Sequence, residues 1–180
     1  MYGMYCKKQV AIRATLAETR RRRKDQTAKS YTLKLDKSHL GAKQQILKRL
    51  FLEAKWFSNY ALEKQFKLDY KAKTVRVKAG DHFEGREISL PSQVRQELLD
   101  RMRDYIKSLH AKKVKGYRVG RLKFKKAVNS IPLKQYGVTY LISGSRVHVQ
   151  GVGWLRVNGT EQIPPDAELA SATLVRRHGD

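Results

Sequence analysis

Residues 112–126, KKVKGYRVGRLKFKK, hold eight lysines and arginines and no carboxylate. Apolar residues, among them Tyr117, Leu122 and Phe124, separate these cations. Ammonium and guanidinium groups bind phosphate oxygens and displace the counterions that surround a polyphosphate chain. The chemistry available to these residues, which we call the basic segment, is therefore the binding of a polyanion.

The basic segment lies within a longer stretch that lacks acids. Residues 105–160 contain twelve lysines and arginines and no aspartate or glutamate. The whole chain of 180 residues has 39 Lys and Arg against 16 Asp and Glu, a formal net charge of +23 at pH 7. A charge run is commonly a solvated face, but the acids that would neutralise such a face are missing here. Because the excess exceeds what solubility requires, we expect a polyanionic partner, either nucleic acid or an anionic membrane surface.

Two features favour nucleic acid over a membrane. No stretch approaches the roughly 18 apolar residues of a membrane span, and the first residues have no apolar signal region. Cys6 is the single cysteine, so neither a disulfide within the chain nor a cysteine-based zinc cluster can form. We therefore expect a cytoplasmic nucleic-acid-binding protein without a membrane partner.

Residue patterns typical of catalysis are not found in this sequence. The five histidines are scattered, and none lies in a local signature around a serine or Cys6. There is no Walker loop and no dinucleotide-binding fingerprint. Asp81, His82, Glu84 and Glu87 are close in sequence, but their spacing matches no metal-ligand pattern. Two-metal cleavage of nucleic acid needs convergent carboxylates, so we predict no catalytic residue, no metal site and no cofactor in these residues.

Apolar spacing predicts the elements of the first half of the chain. Residues 30–35 alternate as in a half-buried strand, and residues 74–90 alternate on both sides of a glycine-containing turn, as in a hairpin. Between them, apolar residues at three- and four-residue steps predict a helix over residues 40–66. A second helix is predicted from Pro91, which fits a first helical turn, to residue 110. The first helix is expected to bury Ile46, Leu47, Leu50, Phe51, Ala54, Phe57 and Ala61.

Four short alternating runs follow the basic segment: VTYLI, SRVHV, GWLRV and ATLVR. Short strands joined by tight turns are typical of a small twisted sheet or barrel, so the chain is predicted to have an α+β fold. Residues 1–29 are predicted to form a basic arm, because residues 1–30 hold nine basic and two acidic residues, a difference of +7. This arm fits either a disordered, solubilising tail or a segment that becomes ordered on phosphate.

The order of these elements resembles the N-terminal half of TnpB proteins, the transposon-encoded RNA-guided nucleases related to type V CRISPR effectors. The stretch from SYTLKL to NYALEKQF resembles that family's opening strand and its aromatic-Asn-x-Ala-Leu-Glu helix, and LPSQVRQELLDRM resembles its second recognition helix. VGRLKFKK is similar to the family's Gly-x-Pro-Arg-Phe-Lys element, and SRVHVQGVGWLRV to its Asn-Arg-Ile and Gly-Trp-Val strands. Leu122 stands where the family has proline, and residues 1–29 have no counterpart.

The resemblance implies a wedge domain, a small OB-like β-barrel formed by the first strand and the C-terminal strands. Its residues are 30–38 and 112–180, and a helical recognition domain, residues 39–111, is inserted between them. It also implies binding to the guide RNA scaffold, to a short DNA motif beside the target and to the guide–target heteroduplex. RNA contacts are implied for Lys34, Arg118, Arg121, Lys123, Lys125 and Lys126. DNA contacts are implied for Ser92, Gln93, Arg95, Gln96, Lys134, Gln135 and Tyr136.

The family's nuclease is a RuvC-like domain that follows the part resembled here and binds metal through an aspartate. We therefore expect cleavage, and Mg²⁺, only when such a segment is supplied downstream or by another chain. The expected partners are guide RNA, target double-stranded DNA and this nuclease segment. The family's context indicates a prokaryotic cytoplasmic protein associated with the nucleoid.

Two other interpretations fit the same composition. One is a transcriptional regulator that uses the two predicted helices, residues 40–66 and 91–110, as a helix-turn-helix. The other is a structural RNA-binding protein of the ribosomal type. The strands predicted after the helices favour the TnpB-like interpretation over the regulator, because a simple repressor does not need them.

Overall fold

Helix α1, Tyr2–Lys24, begins the chain. The computed structural model describes residues 2–24 and 26–177, and the chain divides into two units, the first of which contains α1. Arginine, lysine and alanine, all good helix formers, dominate the helix. Its apolar side chains Val10 and Leu16 are more than half exposed. The basic arm predicted for residues 1–29 is thus helical over most of its described length.

The second unit begins at Leu33 and holds the remaining elements. Its described residues form two α-helices and eight strands. In chain order they are β1 (Lys34–Leu35), α2 (Lys43–Glu63), β2 (Thr74–Ala79), β3 (His82–Glu87), α3 (Ser92–Val114), β4 (Ser130–Leu133), β5 (Tyr140–Ser143), β6 (Arg146–Val149), β7 (Gly153–Asn158) and β8 (Ala172–Val175). No helix within the described ranges is both long enough and apolar enough to cross a membrane.

The strands form three antiparallel sheets, and the predicted α+β class is confirmed. One sheet has the order β1-β7-β6-β5, and β2-β3 and β4-β8 form two-stranded sheets. Within the described residues none of the three closes on itself, so the OB-like barrel is not confirmed. The physical reason is that β8 pairs with β4 and not with a strand of the larger sheet, so the C-terminal strands are divided between two sheets.

The helices and the hairpin follow the predicted periodicities closely. In α2, six of the seven residues expected in the core are buried, but Ile46 is 41% exposed. Ile46 lies in the first helical turn at the margin of the apolar stripe, so its predicted burial was wrong. The hairpin β2-β3 turns at Gly80, whose φ of +62° is a backbone conformation that favours glycine. Pro91 precedes α3 as its N-cap residue, and the helix extends to Val114, four residues beyond the prediction.

One hydrophobic core joins these elements. Phe57 of α2 and Leu99 of α3 are fully buried, and Ile131 of β4 and Leu155 of β7 lie in the same cluster. Strand β4 was not predicted, and its Pro132 lacks the N–H that a central strand donates. Among the described strands it pairs with β8 alone, as an edge position allows. The predicted strand over residues 30–35 is reduced to the two residues of β1.

Candidate nucleic-acid interface

The basic segment covers the last turn of α3 and the irregular loop that follows it. The helix ends where Tyr117 N–H donates to the Lys112 carbonyl at 3.1 Å and Gly116 adopts a φ of +82°. Lys112 and Lys113 lie in the last helical turn, where the partial negative charge of the helix end favours cations. From there the chain has no regular structure until β4. The segment is therefore an exposed loop entered from the end of a packed helix.

The cations of this segment are exposed and lack counter-ions. All eight are solvent-exposed, and within the part of the chain that the structure describes none lies within 4.0 Å of a carboxylate oxygen. Some basic side chains elsewhere are paired: Lys107 Nζ lies 3.1 Å from Asp104, and Arg103 lies 3.2 Å from Asp100. The positive potential of the basic segment is therefore not neutralised internally, and an external polyanion can lower its energy.

Two aromatic rings of the basic segment are also exposed. Tyr117 is 65% exposed and Phe124 is 64% exposed. Rings presented among cations stack on unpaired bases and bind the connecting phosphates at the same time. The sequence contains this signal, since both rings lie among the cations, but their stacking role was not predicted from it. The arrangement favours a partner with unstacked bases, as RNA loops and bulges have.

An amide of α2 holds this loop in position. Asn59 Nδ2 donates to the Lys125 carbonyl at 3.0 Å, and Lys125 N–H donates to Asn59 Oδ1 at 2.8 Å. Asn59 belongs to the stretch NYALE, whose resemblance to the TnpB helix is described above, although no role was predicted for it. The pair of hydrogen bonds fixes the backbone at the centre of the cations.

The ammonium of Lys125 lies in an unusual setting for an exposed lysine. Burial of the ammonium against the protein, together with the nearby positive charge of Arg101, lowers the pKa of Lys125. Arg101 is in turn directed toward β8, where Nη2 donates to Thr173 Oγ1 at 3.3 Å. A phosphate bound at Lys125 would offset both the desolvation and the repulsion.

The predicted DNA-contacting residues form two groups along the chain, one in the first turns of α3 and one just after β4. The structure brings these two groups together. Lys134 Nζ, just after β4, lies 2.8 Å from Glu97 Oε1 in the first turns of α3. The hydrogen bond from Lys134 to Glu97 and the attraction between their charges raise the pKa of Lys134. Gln96 and Gln135 are both exposed, each one residue away from this ion pair. They are therefore available to a common partner, while Ser92 and Gln93 are half-buried.

A tight turn presents Tyr136, which follows Lys134 and Gln135 in the group after β4. Gln135 N–H donates to Thr139 Oγ1 at 3.1 Å, and the Thr139 hydroxyl donates back to the Gln135 carbonyl at 2.9 Å. Gly137 N–H donates to the Tyr140 carbonyl at 2.8 Å with a φ of +82°, so the turn requires glycine at this position. The Tyr136 ring contacts Tyr140 edge to face, with centroids 5.4 Å apart, and is 41% exposed. The exposed ring therefore stands on a hydrogen-bonded turn and rests against the buried Tyr140.

Arg95 lies in the protein interior, in contrast to the exposed position that base reading requires. Only 5% of its surface is exposed, and Nε has no hydrogen-bond partner. Burial lowers the pKa of Arg95, and the negative charges of Asp69 and Glu53 act in the opposite direction. Arg95 in this position serves the packing of α3 against α2, and we do not include it in the candidate interface.

The predicted RNA-contacting residues fall on two elements. Arg118, Arg121, Lys123, Lys125 and Lys126 lie on the loop of the basic segment, all exposed. Lys34 lies instead on β1, opposite Asn158 of β7, on the solvent side of the four-stranded sheet.

Among residues 2–24 and 26–177, no group of three or more histidine, cysteine or acidic side chains could hold a metal ion. Comparison of the chain with protein-family models and with curated proteins found no match.

Proposed function

We propose that this chain is the nucleic-acid-binding part of an RNA-guided DNA endonuclease of the TnpB type. In this role it binds the guide RNA scaffold, recognises a DNA motif beside the target and contacts the guide–target heteroduplex. The single observation that carries the proposal is the basic segment, in which eight exposed cations, with no counter-ion among the described residues, surround the exposed rings of Tyr117 and Phe124. Phosphate binding and base stacking on one loop suit a folded RNA better than a plain duplex.

The pairing of β1 with β7 supports the wedge-type fold that the resemblance implies. Lys34 and Leu35 of β1 pair with Asn158 and Val157 of β7, so these two strands are neighbours in the sheet. Along the chain, α2, the hairpin and α3 lie between β1 and the other strands of this sheet. A helical region inserted into a β domain has this connectivity. We propose that the four-stranded sheet and the β4-β8 sheet correspond to the wedge domain of residues 30–38 and 112–180. Residues 39–111, with α2, the hairpin β2-β3 and most of α3, then correspond to the recognition domain.

The connection between α2 and α3 disfavours the helix-turn-helix interpretation. That motif joins its helices by a turn of three or four residues. Here the hairpin β2-β3, together with its flanking segments, separates Glu63 from Ser92. A structural RNA-binding protein of the ribosomal type remains the second candidate, since exposed cations and aromatic rings would serve it equally well.

Sequencing the RNA that copurifies with the protein tests the proposal directly. We expect one discrete, structured RNA with a variable guide at one end, bound in a salt-sensitive manner because phosphate contacts release counterions. Ribosomal RNA as the main species would support the structural RNA-binding protein instead. Recovery of no RNA, or of DNA alone, would contradict both.

Gln96 and Gln135 are expected to affect which DNA motif is recognised. An exposed glutamine amide can bind the adenine N6 and N7 edge, and such a contact contributes roughly 1–3 kcal/mol of discrimination against other bases. We predict that Gln96→Ala and Gln135→Ala relax the motif preference in a selection with randomised flanks. Gln45→Ala, on the exposed side of α2, is the matched control. An unchanged preference in both variants would remove these residues from the readout.

Cleavage is expected to need a RuvC-like segment. With guide RNA and Mg²⁺, this chain is predicted to bind matched DNA without cutting it, because two-metal cleavage requires convergent carboxylates. Strand β8 is paired on one side only within the described residues, so a nuclease segment can add a strand to its free edge. Adding that segment in trans is expected to restore cutting and to raise the melting temperature. Cleavage by the 180-residue chain alone would contradict this prediction.

A further inference from the structure

The solvent face of the four-stranded sheet carries a group of side chains of which the proposed function uses only Lys34. Strand β7 pairs with β6 so that Trp154 lies opposite His148, and Arg156 lies opposite Arg146. Trp154, Arg146 and Arg156 are exposed, while Leu155, which alternates with them along β7, is buried. The sheet therefore has an apolar side in the core and an aromatic, cationic side facing solvent.

The aromatic part of this face is organised by contacts among three side chains. The rings of His148 and Trp154 meet edge to face, with centroids 5.4 Å apart. The guanidinium carbon of Arg146 lies 5.7 Å from the centroid of the Trp154 ring. Trp154 is nevertheless 37% exposed, which is a large solvent-accessible area for the largest side chain. Indole rings and guanidinium planes are both surfaces on which nucleobases stack.

The cationic part of the face places two like charges side by side. Arg146 and Arg156 are direct cross-strand partners, an arrangement that is destabilising without a counter-ion. Arg156 is partly compensated by Asp36, whose Oδ2 lies 3.8 Å from its Nε, but that carboxylate also binds His39 at 2.8 Å. Within the described residues Arg146 makes no ion pair, and β5, β6 and β7 contain no acid.

The positive charge continues toward the sheet edge. Lys34 on β1 pairs with Asn158, two residues beyond Arg156 on the same face. Lys34, Arg156 and Arg146 thus follow a line across the sheet, and Trp154 lies beside it. A row of cations beside an exposed indole combines the two kinds of group that bind single-stranded nucleic acids, charges for the phosphates and a ring on which bases stack.

We propose that this face is a second binding site that takes a single-stranded polynucleotide. Unpaired bases stack on Trp154 and on the guanidinium of Arg146, and the phosphates between them bind Arg146, Arg156 and Lys34. The site differs from the basic segment in its residues and in its ligand, which needs no folded structure. The proposal holds whether or not the chain serves an RNA-guided nuclease.

Tryptophan fluorescence tests the stacking step. Trp56 and Trp154 are the two tryptophans of the chain, and Trp56→Phe leaves Trp154 as the single reporter. We expect twelve-nucleotide oligo(dT) or oligo(U) to quench its fluorescence in a saturable manner. An abasic oligonucleotide of the same length has the phosphates without the bases, and we expect it to bind about tenfold more weakly with little quenching. Equal binding of the abasic strand, or no quenching by either homopolymer, would overturn the proposal.

The two homopolymers also identify the sugar that the site accepts. Preference for oligo(U) indicates a single-stranded RNA region, and preference for oligo(dT) indicates a displaced DNA strand. Both results support a site for unpaired bases. Vesicles of phosphatidylglycerol provide an anionic surface without bases, and binding to them with greater affinity than to either oligonucleotide would contradict the proposal.

Matched substitutions separate stacking from folding and from the basic segment. Fluorescence polarisation of labelled oligo(dT) is expected to report about tenfold weaker binding for Trp154→Ala and a smaller loss for Arg146→Gln. Because Arg146 is exposed, its variant keeps the test valid if Trp154→Ala unfolds. Arg86→Gln is the control, since Arg86 lies 5.2 Å from the Trp56 ring in the same kind of contact. Unchanged affinity in Arg146→Gln and in folded Trp154→Ala would remove this face from binding.

The triple substitution of Lys123, Lys125 and Lys126 by alanine is expected to leave the quenching of Trp154 intact. Loss of structured-RNA binding with retained quenching would mean that the sheet face acts independently of the basic segment. Loss of quenching in this variant would mean that the loop, and not the sheet, binds the single strand, and would overturn the proposal.

Discussion

Replacing Glu53 with alanine is expected to lower the free energy of unfolding by about 3–5 kcal/mol, the range found when one partner of a buried ionic network is removed. Glu53 is completely buried on α2. Its Oε1 accepts from Arg49 Nε at 2.7 Å, and its Oε2 accepts from Ser89 N–H at 2.8 Å. The carboxylate is also one of the two negative charges that act on buried Arg95.

The physical reason for this large effect is the set of groups that the substitution leaves behind. Alanine leaves a cavity, removes the acceptor of the Ser89 N–H and takes a counter-charge from the guanidinium of Arg95, a residue that is only 5% exposed. Since natural domains are stable by roughly 5–15 kcal/mol, the loss would be a large part of the total. Urea unfolding followed by far-ultraviolet circular dichroism measures it, with the slope m as a check on two-state behaviour.

Two further variants isolate the role of the buried charge. Glu53→Gln keeps the shape and one acceptor, and we expect a smaller loss than with alanine. Arg49 is 66% exposed, so Arg49→Ala is expected to cost about 0–1 kcal/mol, as exposed ion pairs usually do. A loss below about 1 kcal/mol for Glu53→Ala would contradict the assigned structural role.

The second large effect is expected for RNA binding. Substituting Lys123, Lys125 and Lys126 together by alanine is predicted to weaken binding to structured RNA on the order of a hundredfold near 0.1 M salt. Each phosphate contact contributes about 0.7–0.9 to the slope of log K against log salt, so three contacts account for a slope of about 2–3. The measurement is a titration of labelled RNA at four or more salt concentrations, from which affinity and slope are both obtained.

A charge-matched variant is needed because any loss of three lysines weakens attraction to RNA. Lys67, Lys71 and Lys73 are also exposed, and their triple alanine variant removes the same charge elsewhere in the second unit. We expect a several-fold loss for this control and a nearly unchanged slope. Equal losses in the two triple variants would mean that the net charge of +23, and not the basic segment, determines the affinity.

Local periodicity explains how much of the fold the sequence could predict. The helix of Leu50, Ala54 and Phe57 and the hairpin around Gly80 depend on contacts between residues close in the chain, and both were predicted correctly. Strand β4 depends on its pairing with β8, about forty residues away, and its Pro132 cannot donate an N–H to a sheet. The division of the strands between separate sheets is likewise a matter of distant pairing, which alternation within a strand does not specify.

The candidate site was predictable where charge alone defines it. The exposed cations of the basic segment follow from the absence of acids, and no tertiary contact was needed to find them. The spacing of apolar residues indicates that Arg95 is buried, because Leu98 and Leu99 follow it at three- and four-residue steps on the buried side of α3. The resemblance to a DNA-contacting helix implied a DNA contact for Arg95 instead. Asn59 could not be assigned a role, because its partner at Lys125 is 66 residues away.

The two hydrogen bonds from Asn59 are made to the main chain of residue 125, not to its side chain. Every residue type except proline offers the same N–H and carbonyl there. The loop is therefore held without regard to which side chains it carries, and its cations can diverge in number and order while the backbone keeps its path. For the RNA partner that we propose, adaptation thus needs only surface substitutions in this loop, whereas a change at Asn59 would remove the two hydrogen bonds that hold the main chain of residue 125.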